Sequence, residues 1–308
     1  MTRALPLGVD LGRARICVAL AERGPDGAPH LIAAVSRPTG ANAAATLAGM
    51  RAELGTRERR CVLALGAPDS LVREVVFPPL CRREREGAAR FEVARFVPYA
   101  LDETVVRLLS LAAGRQAVAV ARQAALEHAL QVARRARLRA IAVDDTAFAL
   151  LRAFDADVIV DVGLTGSTCI VRDEPLPTVR VLTLGGQALT DAIVAALGID
   201  SVTAEQRKRS IGLAGAGEPV RDALVDQIAV ALVEARTAIP RELTGVVLTG
   251  NGARLPGLAA AVERAIAIPT RLGTLAPDAC NALPADVVRA AAPDWGLAYG
   301  LALWECAA

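Results

Sequence analysis

Two short stretches, about half a chain apart, bring the same residue types together in the same order. In the first, Leu7-Gly8-Val9 leads into Asp10-Leu11-Gly12, then Arg13-Ala14-Arg15, then an apolar run over 16–20. In the second, Val158-Ile159-Val160 leads into Asp161-Val162-Gly163, then Leu164-Thr165-Gly166, then Ser167-Thr168-Cys169-Ile170-Val171. Each reads as strand, glycine turn, strand. Glycine lets the backbone take positive φ and approach a ligand, and successive N–H groups in such a turn can surround an anion. A carboxylate at the strand end suits a hydrated divalent cation. One Asp-x-Gly turn is usually only a turn. Two of them, each between apolar strands, point to a duplicated binding element and two related domains. A third stretch, Leu248-Thr249-Gly250-Asn251-Gly252-Ala253-Arg254, delivers two close glycines from a buried strand to the start of a helix. Bare backbone there can meet a flat ring or a phosphate, or can simply serve strand–helix packing.

The elements that must hold these turns alternate between the two periods. Apolar or alternating runs predict strands near 61–65, 71–77, 105–111, 117–121, 138–143, 179–184 and 246–250. Helical patterns cover 42–54, 84–96, 124–137, 146–154, 188–197, 203–211, 219–238 and 258–266, with a last helix expected to begin at Pro293 and end near Trp304. That alternation implies an α/β fold.

Composition removes several function classes. Apolar residues make up 53% of the 308 positions but aromatics only 3%, so Leu, Val, Ile and Ala must fill the cores of about two domains. A net charge of +2 gives no basic face for nucleic acid. The six cysteines form no C-x-x-C pair, and several sit in apolar runs as small hydrophobes, which argues against zinc or a disulfide framework. His30 and His128 have no companion ligands at metal spacing. The cluster Arg134-Arg135-Ala136-Arg137-Leu138-Arg139 could touch a partner or anionic lipid, but it suits the solvated end of a helix better. The N-terminus lacks a signal-peptide pattern, and no uninterrupted apolar stretch reaches about 18 residues, so a cytoplasmic protein without a membrane span is expected.

In this order, two phosphate loops and a Thr-Gly-x-Gly loop resemble the actin, chaperone and sugar-kinase superfamily. The finer resemblance is to the PilM-type pilus-assembly proteins, relatives of the division protein FtsA. It is carried by Arg90–Tyr99 with Asp102-Glu103, by Val143-Asp144 with Phe148-Ala149-Leu150-Leu151-Arg152, by Gly185-Gly186-Gln187-Ala188-Leu189-Thr190 with Ala204-Glu205 and Lys208, and by Trp295-Gly296-Leu297-Ala298-Tyr299-Gly300-Leu301-Ala302.

The resemblance implies an actin-like, ribonuclease H-like fold: domain I over 1–154 with an extra subdomain at about 61–138, domain II over 155–276 with a helical insert at about 198–240, and a segment 277–308 returning to domain I. It implies ATP with Mg2+ in a cleft between them. Asp10 and Asp161 would hold the metal. Gly12, Arg13, Gly163, Thr165 and Ser167 would meet phosphates. Gly186, Glu205 and Lys208 would approach the ribose and base, although Glu205 and Lys208 also suit a solvated helix face. Gly250, Asn251 and Gly252 would line the adenine pocket. Lys208 is the only lysine of an arginine-rich chain, and the two side chains are not equivalent.

Two positions depart from the family pattern. Arg13, Ala14 and Arg15 stand where small hydroxyl residues are expected; a hydroxyl donor is lost, though arginine can pair with phosphate. Thr146, beside Asp145, stands where a carboxylate would orient water, and a threonine is no comparable base. No catalytic residue is therefore named, and weak or absent ATP hydrolysis is expected. The implied function is a cytoplasmic scaffold, peripheral to the inner membrane, that binds the tail of a PilN-type membrane protein and other pilus motor components, with ATP as a conformational switch and self-association possible. The alternatives are a small-molecule kinase of the same superfamily, which needs a carboxylate base, and an FtsA-like division protein, which needs a terminal amphipathic anchor that the sequence does not show.

Overall fold

The computed structural model describes residues 3–78, 81–213, 215–239, 241–275, 277–280 and 283–306. Its first sheet is built from β1 (Arg3–Ala4), β2 (Leu7–Leu11), β3 (Arg15–Arg23), β4 (Pro29–Pro38), β5 (Arg60–Leu65) and β9 (Arg139–Asp145). A smaller sheet uses β6 (Ser70–Val75), β7 (Thr104–Ser110) and β8 (Gln116–Arg122). The third sheet uses β10 (Val158–Val162), β11 (Ser167–Val171), β12 (Thr178–Leu182), β13 (Val246–Thr249) and β14 (Thr270–Leu272). The helices are α1 (Ala43–Glu53), α2 (Arg82–Val93), α3 (Gln123–Arg135), α4 (Thr146–Ala153), α5 (Gly186–Leu197), α6 (Ser201–Ile211), α7 (Glu218–Ala238), α8 (Leu258–Ile266) and α9 (Ala285–Ala302).

The first and third sheets repeat one plan. In the first, β4, β3 and β2 run antiparallel and β2, β5 and β9 run parallel. In the third, β12, β11 and β10 run antiparallel and β10, β13 and β14 run parallel. The two Asp-x-Gly turns are the β2–β3 and β10–β11 hairpins, so both occupy equivalent places. Asp10 pairs in register with Cys17, and Asp161 with Thr168.

The continuous apolar runs are explained by burial on both faces. Val158, Val160 and Val162 enter the core beneath α5, α7 and α8, while Ile159 between them enters the core between the sheets. That middle core holds α4 and α9, through Leu150, Phe154, Trp295, Ala298 and Tyr299. Close approach here depends on two glycines: an added Cβ would lie 1.8 Å from the Ala298 carbonyl oxygen at Gly8, and 1.8 Å from that of Ala149 at Gly300.

The structure corrects three expectations. The extra layer is narrower than 61–138. Strand β5 lies inside the first sheet between β2 and β9, and α3 packs its Ala129, Val132 and Ala133 into that sheet's core. The separate sheet, with Val75, Ala89, Val93, Val118 and Val120 as its own small core, spans β6 to β8. Helix α7 is likewise part of the core of the third sheet's layer through Leu224, Ile228 and Leu232. The last helix begins at Ala285, with Pro293 inside it. Proline lacks the helix N–H, yet buried Val288 before it and Trp295 after it hold both halves in place. No helix among the described residues is long and apolar enough to cross a membrane.

Candidate functional site

Both hairpin turns and the β13 glycine turn open on one cleft of about 1260 Å3. Of the residues marked by the sequence, Asp10, Gly12, Arg13, Asp161, Gly163, Thr165, Ser167, Gly250 and Asn251 line it. The floor is acidic. Burial pushes the Asp10 carboxyl up to about 7, with Asp161 and Asp294 adding repulsion, and burial pushes Asp161 up to about 6. Carboxyls raised in this way lack a counter-charge, which suits a hard cation. Among the described residues, no cluster of three or more His, Cys, Asp or Glu is arranged to hold a metal ion. A divalent cation here would therefore complete its shell with water and ligand oxygens, as Mg2+ commonly does.

Asp294 carries no sequence signal of its own; it lies one residue before the motif over 295–302. It lies on α9, lines the cleft, and accepts a hydrogen bond from Arg254 Nε at 2.9 Å. The residue before it ties α9 to the glycine turn: the Pro293 carbonyl accepts from Gly250 N at 3.1 Å and from Thr249 Oγ1 at 3.0 Å. Gly250 has φ +80°, and an added Cβ would fall 2.3 Å from Asp161 Oδ1. Only glycine fits between that carboxylate and the turn.

The remaining marked residues stand behind the second hairpin. Gly186 N donates to the Gly163 carbonyl at 2.9 Å and Gln187 N to that of Leu164 at 2.8 Å, so the start of α5 is docked on the loop. Lys208 is buried and donates to the Gly186 carbonyl at 2.8 Å and to Thr190 Oγ1 at 2.7 Å, while pairing with Glu205. Burial would raise the Glu205 carboxyl, but hydrogen bonds from Lys208, Thr190 and Arg209 outweigh it and hold it low. Gly186, Glu205, Lys208 and Gly252 thus form a support, with Gly252 pressed against Val162 and close to Gly186.

Hydroxyls are also committed. Ser167 donates to the Leu184 carbonyl at 2.7 Å. Thr146 donates to the Leu65 carbonyl at 3.2 Å. Asp145 accepts from Ala147 N at 2.9 Å, as the N-cap of α4, and from Ser70 Oγ at 2.6 Å. Burial raises its pKa. At the rim, Arg13 Nη1 donates to Thr165 Oγ1 at 3.3 Å, joining one hairpin tip to the other.

This architecture has counterparts among solved structures. A chain of a PilM–PilN type IV pilus biogenesis complex is similar over 97% of both chains, with 25% identity and a TM-score of 0.76. The ethanolamine utilization protein EutJ from Carboxydothermus hydrogenoformans is similar over 98% of this chain and 90% of its own, with 16% identity and a TM-score of 0.58. The activator of the 2-hydroxyisocaproyl-CoA dehydratase from Clostridium difficile, with bound ADPNP, is similar over 97% of this chain and 93% of its own, with 13% identity and a TM-score of 0.50. The fold is the actin-like α/β fold. No curated protein matches the sequence significantly. The sequence profile described as type IV pilus assembly protein PilM matches residues 39–306. The chain belongs to the PilM family of type IV pilus assembly proteins.

Proposed function

We propose that this chain is a cytoplasmic scaffold of type IV pilus assembly whose cleft binds ATP with Mg2+ and thereby sets its affinity for the tail of a PilN-type inner-membrane protein. The observation that carries the reading is the pairing of two equivalent hairpin turns, each preceded on its strand by a half-buried carboxyl, across one cleft that a glycine turn also borders. Asp10 and Asp161 would hold the cation, Gly12, Gly163 and Thr165 the phosphates, and Gly250 and Asn251 the base. Glu205 and Lys208 would support the pocket by fixing α6 to α5. The nucleotide supplies charge and bulk between the hairpins, which can bias their separation as a hinge. With Thr146 and Asp145 both committed, slow turnover or none is expected.

The PilM–PilN composition of the similar structure supports a PilN-type partner. We assign its peptide to the groove between the first sheet and the small sheet, since that sheet is surplus to the nucleotide loops and offers an edge strand in β6. Phe96 helps pack the small sheet's own core, so Pro98 at the cleft and Tyr99 are the better positions to probe. Calorimetry with ATP and MgCl2, phosphate release, and anisotropy of a labelled PilN-type N-terminal peptide test the reading together. Turnover above about 1 s-1 would place the chain among ordinary enzymes. Peptide affinity unaffected by saturating nucleotide would remove the switch.

A further inference from the structure

The β2–β3 hairpin carries two arginines with opposite employment. Arg15 turns inward, its Nε donating to Ser36 Oγ at 2.8 Å and its Nη2 to the Ser36 carbonyl at 3.0 Å. Arg13 is exposed at the tip, lines the cleft, and meets no carboxylate among the described residues. Its contact is the Thr165 hydroxyl at 3.3 Å, just beyond the usual N–H···O range and made to a neutral acceptor. Most of its N–H donors are left for something else.

The position of that contact gives it meaning. Asp10 and Asp161 lie on the strands, and Arg13 and Thr165 lie at the tips of the turns that follow them. A cation on the carboxylates and a phosphate chain running outward would bring the chain's far end to the guanidinium. A terminal phosphate offers charged oxygens in a geometry that guanidinium meets with paired hydrogen bonds, and such bonds are much stronger than one to a threonine hydroxyl. A shorter chain would not reach that far.

We propose that Arg13 is the specificity-determining residue that reads phosphate-chain length in this cleft, leaving Thr165 for the terminal phosphate of a nucleoside triphosphate. The inference rests on the nucleotide reading above. Without ligand, Arg13 ties one hairpin tip to the other directly. With a triphosphate, the tie runs through the ligand, and with a diphosphate the direct tie persists.

The test is calorimetry of the full chain with ATP and with ADP, each with MgCl2, on the wild type, Arg13→Gln and Arg13→Lys, with thermal melts to confirm folding. The wild type should prefer ATP. Arg13→Gln should weaken ATP about tenfold or more while changing ADP less than about threefold, and Arg13→Lys should recover part of the loss. Added salt should erode the ATP preference of the wild type and leave that of Arg13→Gln nearly unchanged. Equal losses for ATP and ADP, no loss for either, or a wild type without preference would each overturn the role of Arg13 while leaving nucleotide binding standing. A wild type that binds neither would overturn the nucleotide reading itself, and this inference with it.

Discussion

Lys208 Nζ lies 2.7 Å from Thr190 Oγ1, which places the only lysine of the chain inside a joint between α6 and α5. Its ammonium also pairs with Glu205, and Arg209 holds the other oxygen of that carboxylate. Lys208→Met should cost about 2–3 kcal/mol, because a partly buried carboxylate and a hydroxyl lose their shared partner. Lys208→Arg should not restore it, since the planar guanidinium is larger and the space was shaped by a point charge. Urea unfolding midpoints check both. Full stability in the arginine variant would show that the joint is looser than the distances indicate.

The two glycines of contrasting surroundings give opposite signs. At Gly8 an added Cβ would stand 1.8 Å from the Ala298 carbonyl oxygen. Gly8→Ala should therefore destabilise by about 3 kcal/mol or more, or prevent folding. Gly49 is exposed within α1 and meets nothing within 4 Å. Gly49→Ala should stabilise by about 0.5–1 kcal/mol through backbone entropy. Thermal melts of both variants read out the contrast.

The acidic floor predicts a pH dependence with a definite sign. Burial raises the Asp10 carboxyl to about 7 and the Asp161 carboxyl to about 6, against an ordinary 3.8. Between those values the folded chain keeps protons that the unfolded chain has already released. The contribution of this pair to stability is greatest at the acid end of the window, falls as pH rises, and levels off above the folded values. The slope approaches about 1.4 kcal/mol per pH unit for each proton withheld. Asp157 and Glu58 are held below their ordinary values, so their changes fall at lower pH and do not mask the effect. Unfolding midpoints of the ligand-free protein should decline toward neutrality, and Asp10→Asn with Asp161→Asn should make the decline shallower, leaving the part due to Asp144 and Asp145, which burial also raises. An unchanged slope in the double variant would remove these carboxyls as its source.

Ser70 joins the small sheet to the first by donating to Asp145 at the start of α4. Ser70→Ala should cost about 1–3 kcal/mol, as for a hydrogen bond to a charged group. Hydrogen exchange should quicken across β6, β7 and β8 while α4 keeps its protection. Loss spread evenly over both sheets would mean that Ser70 serves the whole fold rather than this joint.

What could be read from the sequence follows from how strongly each element advertises itself. The β10–β11 hairpin announces its place because β10 is buried on both faces and reads as unbroken apolar residues. Strand β4 is not legible because Leu31 is its one buried residue, so no alternation shows. Local propensity puts a helix boundary at Pro293, whereas packing carries α9 through it. The place of Asp10 and Asp161 on the cleft is legible because each sits in a repeated strand–turn–strand frame. That of Asp294 is not, because an isolated acid in a helix carries no pattern; only the fold brings it to Asp10. Residue types and spacing marked Lys208 for attention, but its neighbours Thr190 and Gly186 decide what it holds.

Helix α9 covers the face of β2, so the first strand of the cleft and the last α-helix of the described residues complete one another. During synthesis that strand emerges long before its cover exists. The face that takes Cys17, Ala19, Ala21 and Leu31 into the middle core stays open until α9 has been made. Contacts of such sequence separation form late and slowly, and an apolar sheet face left waiting invites association with other chains. A truncation that removes α9 strips the lining from between both large sheets, whereas the small sheet, closed by segments near each other in sequence, can assemble early.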